Sequence, residues 1–176
     1  MARVSPAARK HRAAGPKSVT AAVITVSDTR TRRTDESGRV IEEMLIAKGH
    51  KVVRRGICLD EPSKITAELD ISLAADCDVI IFNGGTGIAP RDVTIETVVP
   101  RFGKRIDGFG ELFRHLSYRE IGGAAMLSRA AAGTIGRAAV FCLPGSPEAV
   151  SLAMKNLILP EIGHLVGLIK GHSRHT

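Results

Sequence analysis

A short apolar run followed by a glycine-rich turn constrains the fold of this chain more than any other stretch. Residues 79 to 82 read VIIF and are bounded by polar and glycine residues, which is typical of a strand buried on both faces of a parallel sheet. The next residues, Gly84, Gly85, Thr86 and Gly87, place three glycines at the carboxyl end of that strand. Because glycine has no Cβ atom, main-chain N–H groups there can approach a bound anion. The stretch therefore predicts an α/β sheet with an anion-binding edge.

Asp92 follows this turn, and its position leaves two interpretations open. It precedes Val93 and Thr94 in the manner of a residue that caps the start of a helix. Alternatively, it lies beside a phosphate site, where a carboxylate is unfavourable unless a metal ion separates the two charges. A purely structural glycine turn also fits, since the dinucleotide-binding pattern fails at Pro90 and the sequence contains no P-loop pattern.

The rest of the chain alternates between strand-like and helix-like segments. Apolar runs predict further strands at 19–26, 51–59 and 138–143. Helical periodicity predicts helices that begin near Asp35, Pro62, Val93, Glu111 and Ser146. We expect Pro160 to break the last helix, residues 101–110 to be irregular, and 133–136 to form a turn. The alternation predicts a three-layer α/β/α domain with a mostly parallel central sheet.

The length and charge of the chain predict one neutral domain between two basic tails. A chain of 176 residues fits a single domain, which we assign to residues 19–169. Seven of the 25 Lys and Arg residues, and none of the 18 acidic residues, fall in residues 1–18 and 170–176. We expect the 1–18 tail to be disordered and nucleic-acid binding to be unlikely, because a nucleic-acid-binding fold carries its basic surface on the folded body.

Other features argue for a soluble, cytoplasmic protein. No apolar run approaches the roughly 18 residues that span a bilayer, and the basic N-terminus is not followed by the apolar segment of a secretory signal. Cys58, Cys77 and Cys142 are widely spaced and match no disulfide or metal-ligand pattern. We therefore predict no membrane contact and interpret the cysteines as small core residues.

Four loops should converge where the strands end. Ligands of open α/β sheets gather at the carboxyl ends of the strands, and these ends are followed by 27–30, Asp60, 84–94 and 144–147. Together the loops supply glycine backbone, hydroxyl groups, arginine and at least two carboxylates. Such a set suits magnesium-assisted phosphoryl or nucleotidyl transfer, which depends more on positioning and charge neutralisation than on a nucleophilic side chain.

Five segments carry a resemblance to a known family. These are TVSDTRT at 25–31, FNGGTGIAPRDVTIE at 82–96, GFGELFR at 108–114, AMLSRAAAG at 125–133 and LPGSPEAV at 143–150. In this order they resemble the MogA/MoaB family of molybdenum-cofactor biosynthesis proteins, and also the related G domains of gephyrin and plant Cnx proteins. The resemblance covers about residues 19–168 and is closer to the MoaB branch.

The resemblance implies a trimer, or a hexamer in the MoaB branch, with molybdopterin adenylyltransferase activity. In that reaction the phosphate of molybdopterin attacks the α-phosphate of ATP in the presence of Mg²⁺, giving adenylylated molybdopterin and pyrophosphate. Asp60 and Asp92 match the catalytic acids and would hold Mg²⁺. The positions implied for substrate or nucleotide binding are Ser27, Asp28, Gly84, Gly85, Thr86, Gly87, Arg91, Thr94, Ser128, Arg129, Pro144, Gly145 and Ser146.

The resemblance also leaves a non-enzymatic alternative open. Some MoaB proteins coexist with a MogA, so the chain can be a molybdopterin-binding scaffold or carrier that works with other proteins of the pathway. Ser146 replaces the Asn or Gln of some relatives, and a hydroxyl offers fewer hydrogen-bonding groups than an amide. Independently, the surplus of apolar residues around Leu112, Phe113 and 124–132 predicts a homo-oligomer.

Overall fold

The computed structural model of the protein describes residues 15–171, so residues 1–14 and 172–176 of the predicted tails lie outside it. The strands are β1 Thr20–Val26, β2 Lys51–Cys58, β3 Val79–Asn83, β4 Lys104–Arg105, β5 Ala131–Ile135 and β6 Ala138–Leu143. The helices are α1 Glu36–Ala47, α2 Pro62–Ala74, α3 Thr94–Val98, α4 Asp107–Ile121 and α5 Pro147–Ile169. Short 3₁₀ segments span Val99–Arg101 and Gly122–Leu127.

All six strands form one mixed sheet in the order β2-β1-β3-β6-β5-β4. The first four strands of this order are parallel, whereas β5 and β4 run antiparallel to their neighbours. The predicted, mostly parallel sheet is thus confirmed, but strands β4 and β5 were missed. Gly133 pairs with Arg105 and Val140 within β5, so the predicted turn at 133–136 begins only at Gly136, whose φ is +56°. The Phe102 ring occupies the space that a side chain on residue 133 would need. A Cβ atom on Gly133 would lie 2.3 Å from Phe102 Cδ2.

Alternating strand residues build two separate cores, one on each face of the sheet. On one face, residues such as Val23, Ile81 and Phe141 pack with α1, α4 and α5. On the other face, residues such as Ile24, Ile80 and Val140 pack with α2 and α3. The helices therefore cover both faces, and the predicted three-layer α/β/α architecture is confirmed.

Helix α5 continues through Pro160, contrary to the predicted break. Its middle, Met154–Ile158, is a π-helical turn placed just before the proline. In a π-helical turn the backbone groups pair five residues apart, which suits a position where proline lacks an N–H. The helix therefore continues past Pro160 instead of ending there. By length and composition this helix of 23 residues could also cross a membrane. In this fold, however, residues such as Val150, Met154 and Ile162 pack in the core against the sheet.

The described chain begins against α5 rather than away from the domain. A Cβ atom on Gly163 would lie 2.6 Å from the Pro16 carbonyl oxygen, and one on Gly167 would lie 3.1 Å from Gly15 Cα. Such close backbone contact requires small residues on the helix. Residues 15 and 16 therefore pack on the domain, although they fall within the segment 1–18 that we expected to be a tail.

A buried polar network lies beneath the carboxyl ends of β1 and β3. Asn83 is fully buried, donates to Thr25 Oγ1 at 3.0 Å and accepts from Ser37 Oγ at 2.7 Å. Thr25 Oγ1 in turn donates to Asp35 Oδ2 at 2.9 Å. Asp35 caps α1 by accepting from Gly38 N at 2.9 Å, as its position before the helix predicted. This network joins two central strands to the start of α1.

Arg55 balances the charge at the centre of this network. Its guanidinium lies 2.9 Å from Asp35 Oδ2, and the Asp35 side chain is completely buried. A second ion pair, to Glu42 at 2.9 Å, holds the other side of the guanidinium. Because a buried charge without a partner is costly, the pair fixes β2 against the start of α1.

We expect Arg55→Met to lower the free energy of unfolding by about 3 kcal/mol, because it leaves the buried Asp35 carboxylate without its counter-ion. Urea unfolding would measure the change. Arg39→Met is the matched control, since Arg39 pairs with Glu43 at 2.9 Å on the exposed surface of α1. It should cost less than about 0.5 kcal/mol. Equal, small effects of both substitutions would contradict the role given to Arg55.

Candidate functional site

The candidate site lies at the carboxyl edge of the parallel strands. Loops that follow β1, β2, β3 and β6 all reach this edge, as the sequence predicted. Strand β5 runs in the opposite direction, with Ala131 paired to Cys142 near the end of β6. Residues that precede β5, including Ser128 and Arg129, are therefore brought to the same edge. The segment before the antiparallel strand β5 thus joins the four loops at this edge.

Gly84 and Gly85 shape the loop that follows β3. Both have positive φ angles, +97° and +61°, which side chains rarely adopt. Thr94 stabilises the loop through two hydrogen bonds. Its N–H donates to the Gly85 carbonyl at 2.9 Å, and its hydroxyl donates to the Gly84 carbonyl at 2.9 Å. Thr94 is fully buried. It was predicted as a binding residue, and in this structure its hydroxyl is engaged by the loop itself.

Three consecutive N–H groups in this loop are available to a ligand. Within residues 15–171, the N–H groups of Gly85, Thr86 and Gly87 have no hydrogen-bond partner, whereas Gly84 N donates to Leu143 O at 3.0 Å. Successive N–H groups in a turn with left-handed residues form a concave anion-binding surface. The glycine loop therefore presents backbone donors of the kind that bind anions.

Two carboxylates lie against the glycines of this loop. A Cβ atom on Gly85 would lie 2.5 Å from Asp60 Oδ1, and one on Gly87 would lie 2.6 Å from Asp92 Oδ2. The glycines therefore allow the backbone of the loop to approach both acids. Among residues 15–171, no group of three or more His, Cys, Asp or Glu side chains could hold a metal ion. Among the described residues, Asp60 and Asp92 are thus the two carboxylates that lie against the glycines of this loop.

Asp92 does not cap the following helix, so the capping interpretation is wrong. Its Oδ2 accepts from Ala89 N at 2.9 Å and closes a local turn, in which Asp92 N donates to Ala89 O at 2.9 Å. The residue at the N-cap of α3 is Val93, without a side-chain hydrogen bond. The Val93 N–H instead donates to Asp60 Oδ1 at 3.4 Å, across from the β2 loop. Asp60 and Asp92 thus accept hydrogen bonds from different residues of the same loop.

The pKa of Asp60 is raised above its ordinary value of 3.8. Burial is the largest cause, the hydrogen bond from Val93 opposes it, and the negative charge of Asp92 raises the pKa further. The two carboxylates therefore repel each other, which is the electrostatic condition that a cation would relieve.

Arg129 is held at the site by hydrogen bonds to a backbone carbonyl and to a carboxylate. Its Nε donates to Thr86 O at 2.8 Å, and its two terminal nitrogens bind Glu96 at 2.7 and 3.0 Å. The hydrogen bond to Glu96 raises the pKa of Arg129, and the same bond lowers the pKa of Glu96. Arg129 thus fixes the back of the glycine loop through contacts with its backbone, and Glu96 was not foreseen from the sequence.

Asp28 joins the first three loops of the edge. Its Oδ1 accepts from Asp60 N at 3.1 Å, and its Oδ2 forms an ion pair with Arg91. Ser27, also predicted to bind substrate, accepts from Thr29 N at 3.3 Å and Arg30 N at 3.2 Å within its own loop. Asp28 therefore links the loops that follow β1, β2 and β3, while the Ser27 hydroxyl stabilises the turn after β1.

A cleft of about 350 Å³ brings most of the predicted residues together. It is lined by Gly84, Gly85, Thr86, Gly87, Asp92, Leu127, Ser128, Arg129, Pro144 and Gly145. The Ser128 hydroxyl has no hydrogen-bond partner among the described residues. The other predicted residues, Ser27, Asp28, Asp60, Arg91, Thr94 and Ser146, lie outside this lining. Ser146 caps α5 by accepting from Ala149 N at 3.1 Å, which fits the helix predicted to begin there. Leu127, half exposed on the rim, has no signal in the sequence that marks it as part of a site.

Comparisons with known proteins cover most of the described chain. Residues 22–164 match the family described as a probable molybdopterin binding domain. The molybdenum cofactor biosynthesis protein B of Bacillus cereus is 52% identical over 158 residues, which cover 89% of this chain and 94% of that protein. The family match and the alignment with this relative therefore both extend over nearly all of the described domain.

Solved structures share the same architecture. A crystal structure of a molybdenum cofactor biosynthesis protein B superimposes with a TM-score of 0.86 at 51% identity, covering 89% of this chain and 98% of that one. The tungsten cofactor synthesizing protein MoaB from Pyrococcus furiosus gives a TM-score of 0.81 at 38% identity, covering 88% of this chain and 99% of that one. The chain therefore belongs to the molybdopterin-binding domain family of molybdenum cofactor biosynthesis proteins, with MoaB proteins among its relatives.

Proposed function

We propose that this protein acts in molybdenum cofactor biosynthesis as a molybdopterin adenylyltransferase that uses ATP and Mg²⁺. The observation that carries the proposal is the glycine loop, which lies beside the mutually repelling Asp60 and Asp92 and whose three N–H groups have no partner within residues 15–171. An anion-binding backbone and two acids suit the transfer of a phosphoryl-type group between substrates that carry phosphate. Family membership narrows the acceptor to molybdopterin. Such chemistry draws on cytoplasmic ATP, and we place the protein in the cytoplasm.

In the proposed reaction, a phosphate oxygen of molybdopterin forms a bond to the α-phosphorus of ATP. The bond between that phosphorus and the oxygen of the leaving pyrophosphate breaks. The N–H groups of Gly85, Thr86 and Gly87 would bind phosphate oxygens, and the Ser128 hydroxyl would orient a substrate from the opposite wall. Positioning and charge neutralisation, rather than a nucleophilic side chain, would account for the rate.

The acids present fit Mg²⁺. This ion is commonly bound by one or two carboxylates together with substrate phosphates and water, so two acids are sufficient. Asp60 and Asp92 would hold it, and it would neutralise negative charge on the phosphate groups. The raised pKa of Asp60 supports this assignment, because part of the shift comes from Asp92.

We expect Asp92→Asn to lower the pKa of Asp60, because it removes the neighbouring negative charge. A ¹³C NMR titration of the Asp60 carboxyl would measure the shift. Adding Mg²⁺ to the unsubstituted protein should lower the pKa of Asp60 as well, and should lower it less in Asp92→Asn. The control is Asp70→Asn, which removes an acid paired with Arg101 on the exposed surface. If neither Asp92→Asn nor Mg²⁺ changes the pKa of Asp60, a cation site shared by the two acids is ruled out.

The activity is tested by mixing the purified protein with molybdopterin, ATP and Mg²⁺ and measuring pyrophosphate and adenylylated pterin. We expect Asp92→Asn to lower the rate about a hundredfold or more, the usual loss when an electrostatic stabiliser is removed. Its stability should change by less than about 1 kcal/mol, because the asparagine oxygen can still accept from Ala89 N. Pterin binding without transfer in the unsubstituted protein would instead identify the scaffold or carrier that the sequence left open.

We also propose that the protein forms a homo-oligomer, a trimer or hexamer, which can contact other proteins of the pathway. Support comes from exposed apolar residues on α4 and the 3₁₀ segment after it, where Leu112 is 54%, Tyr118 64% and Met126 80% exposed. Phe113, which we had included in this surplus, is instead buried in the core. Multi-angle light scattering should give a mass of several chains, and Met126→Lys should reduce it. A stable monomer at micromolar concentration would refute the assembly.

A further inference from the structure

We propose that Asp28 and Arg91 form a polyphosphate-responsive latch. In the free protein Arg91 is paired with Asp28, and on nucleotide binding its guanidinium transfers to a phosphate group. The inference rests on the proposed function and deepens it, because it names the side chain that recognises the polyphosphate and the contact that this side chain gives up.

Asp28 has two partners at the edge of the sheet, and only one of them is charged. Its Oδ1 accepts the N–H of Asp60 at 3.1 Å, which fixes the turn after β2. Its Oδ2 pairs with Arg91 in the loop after β3. Because each oxygen serves a different partner, loss of the ion pair leaves the contact with the Asp60 backbone in place. The acid can therefore release Arg91 without releasing the turn that carries Asp60.

The two arginines of the site differ in how strongly they are held. Arg129 uses Nε and both terminal nitrogens on Thr86 O and Glu96, at 2.7 to 3.0 Å. The Arg91 side chain is 70% exposed, and among residues 15–171 its ion pair is with Asp28. Arg91 is therefore the cation that can turn towards a ligand, whereas each of the three guanidinium nitrogens of Arg129 already donates a hydrogen bond.

The position of Arg91 in the loop places it within reach of a bound anion. It immediately precedes Asp92, whose carboxylate lies against Gly87 at the end of the three free N–H groups. The Arg91 side chain is 70% exposed and the Asp28 side chain 26%, so solvent weakens this ion pair in part. Two parallel hydrogen bonds from a guanidinium to a phosphate are stronger and more directional. A polyphosphate seated on the loop should therefore draw Arg91 away from Asp28.

The test is a double-mutant cycle on binding of inorganic pyrophosphate to the full chain without metal, measured by calorimetry. Arg91→Gln should weaken binding about tenfold, the loss expected for charge-assisted hydrogen bonds. Asp28→Asn keeps an oxygen for the Asp60 N–H and frees Arg91, so binding should strengthen about two- to fivefold. The remote pair Arg101 and Asp70, 2.7 Å apart, supplies the controls Arg101→Gln and Asp70→Asn, which should leave the affinity unchanged.

The sign of the coupling separates the latch from simple charge repulsion. If Arg91 transfers to phosphate, the gain from Asp28→Asn is larger when Arg91 is present than in the Arg91→Gln background. If Arg91 stays on Asp28 and shields it, the gain is larger in the Arg91→Gln background, and the latch is overturned. The Nε–H resonance of Arg91, assigned by its absence from the Arg91→Gln spectrum, should move on saturation with pyrophosphate. An unmoved resonance would also overturn it.

Failure of the latch and failure of the proposed function give different results. If the cycle has the expected sign but no adenylyl transfer occurs, the latch stands and the enzymatic proposal falls. If adenylyl transfer occurs but the cycle has the opposite sign, the enzyme stands and the latch falls. If neither pyrophosphate nor ATP binds the unsubstituted protein, both are overturned.

Discussion

The functional edge of this sheet depends on a close approach of three chain segments at Gly84. A Cβ atom there would lie 2.2 Å from the Val26 carbonyl oxygen, so no other residue fits without moving β1. On the other side Gly84 N donates to Leu143 O at 3.0 Å, and Gly145 packs against Gly84 itself. The ends of three neighbouring strands are thereby drawn together. The chain must then turn through two residues with positive φ, and within residues 15–171 the N–H groups of Gly85, Thr86 and Gly87 have no hydrogen-bond partner.

The site that results is electrostatically unfavourable in the absence of a ligand. Because burial and Asp92 raise the pKa of Asp60, the folded protein binds this proton more tightly than the unfolded chain does. The stability associated with that proton is present at acid pH and is lost as the pH rises from about 3.8 through the raised pKa. Once it is ionised, Asp60 therefore costs stability. The buried Arg55–Asp35 pair and the Thr94 hydrogen bonds stabilise the surrounding loops that hold it.

Short-range rules predicted the elements that depend on neighbouring residues. The strand before the glycine loop, the cap at Ser146 and the alternation of strands and helices all follow from local pattern. The errors came from partners distant in sequence. Gly133 belongs to a strand because it pairs with Arg105 of β4, and Asp60 of the β2 loop, not Asp92, accepts a backbone N–H at the start of α3. Pairings of this kind depend on tertiary contacts that a single sequence does not contain.

The antiparallel strand β5 explains why the site has a wall opposite the glycine loop. In a fully parallel sheet, the segment before a strand lies at the amino edge, away from ligands. Reversal of β5 instead carries Ser128 and Arg129 to the carboxyl edge, where Arg129 binds the Thr86 carbonyl at 2.8 Å. That bond makes the wall and the loop one rigid unit, because Glu96 at the base of α3 also holds the guanidinium. The proposed latch therefore places movement on ligand binding at the opposite side, where the Arg91 side chain is exposed and is held by its ion pair with Asp28.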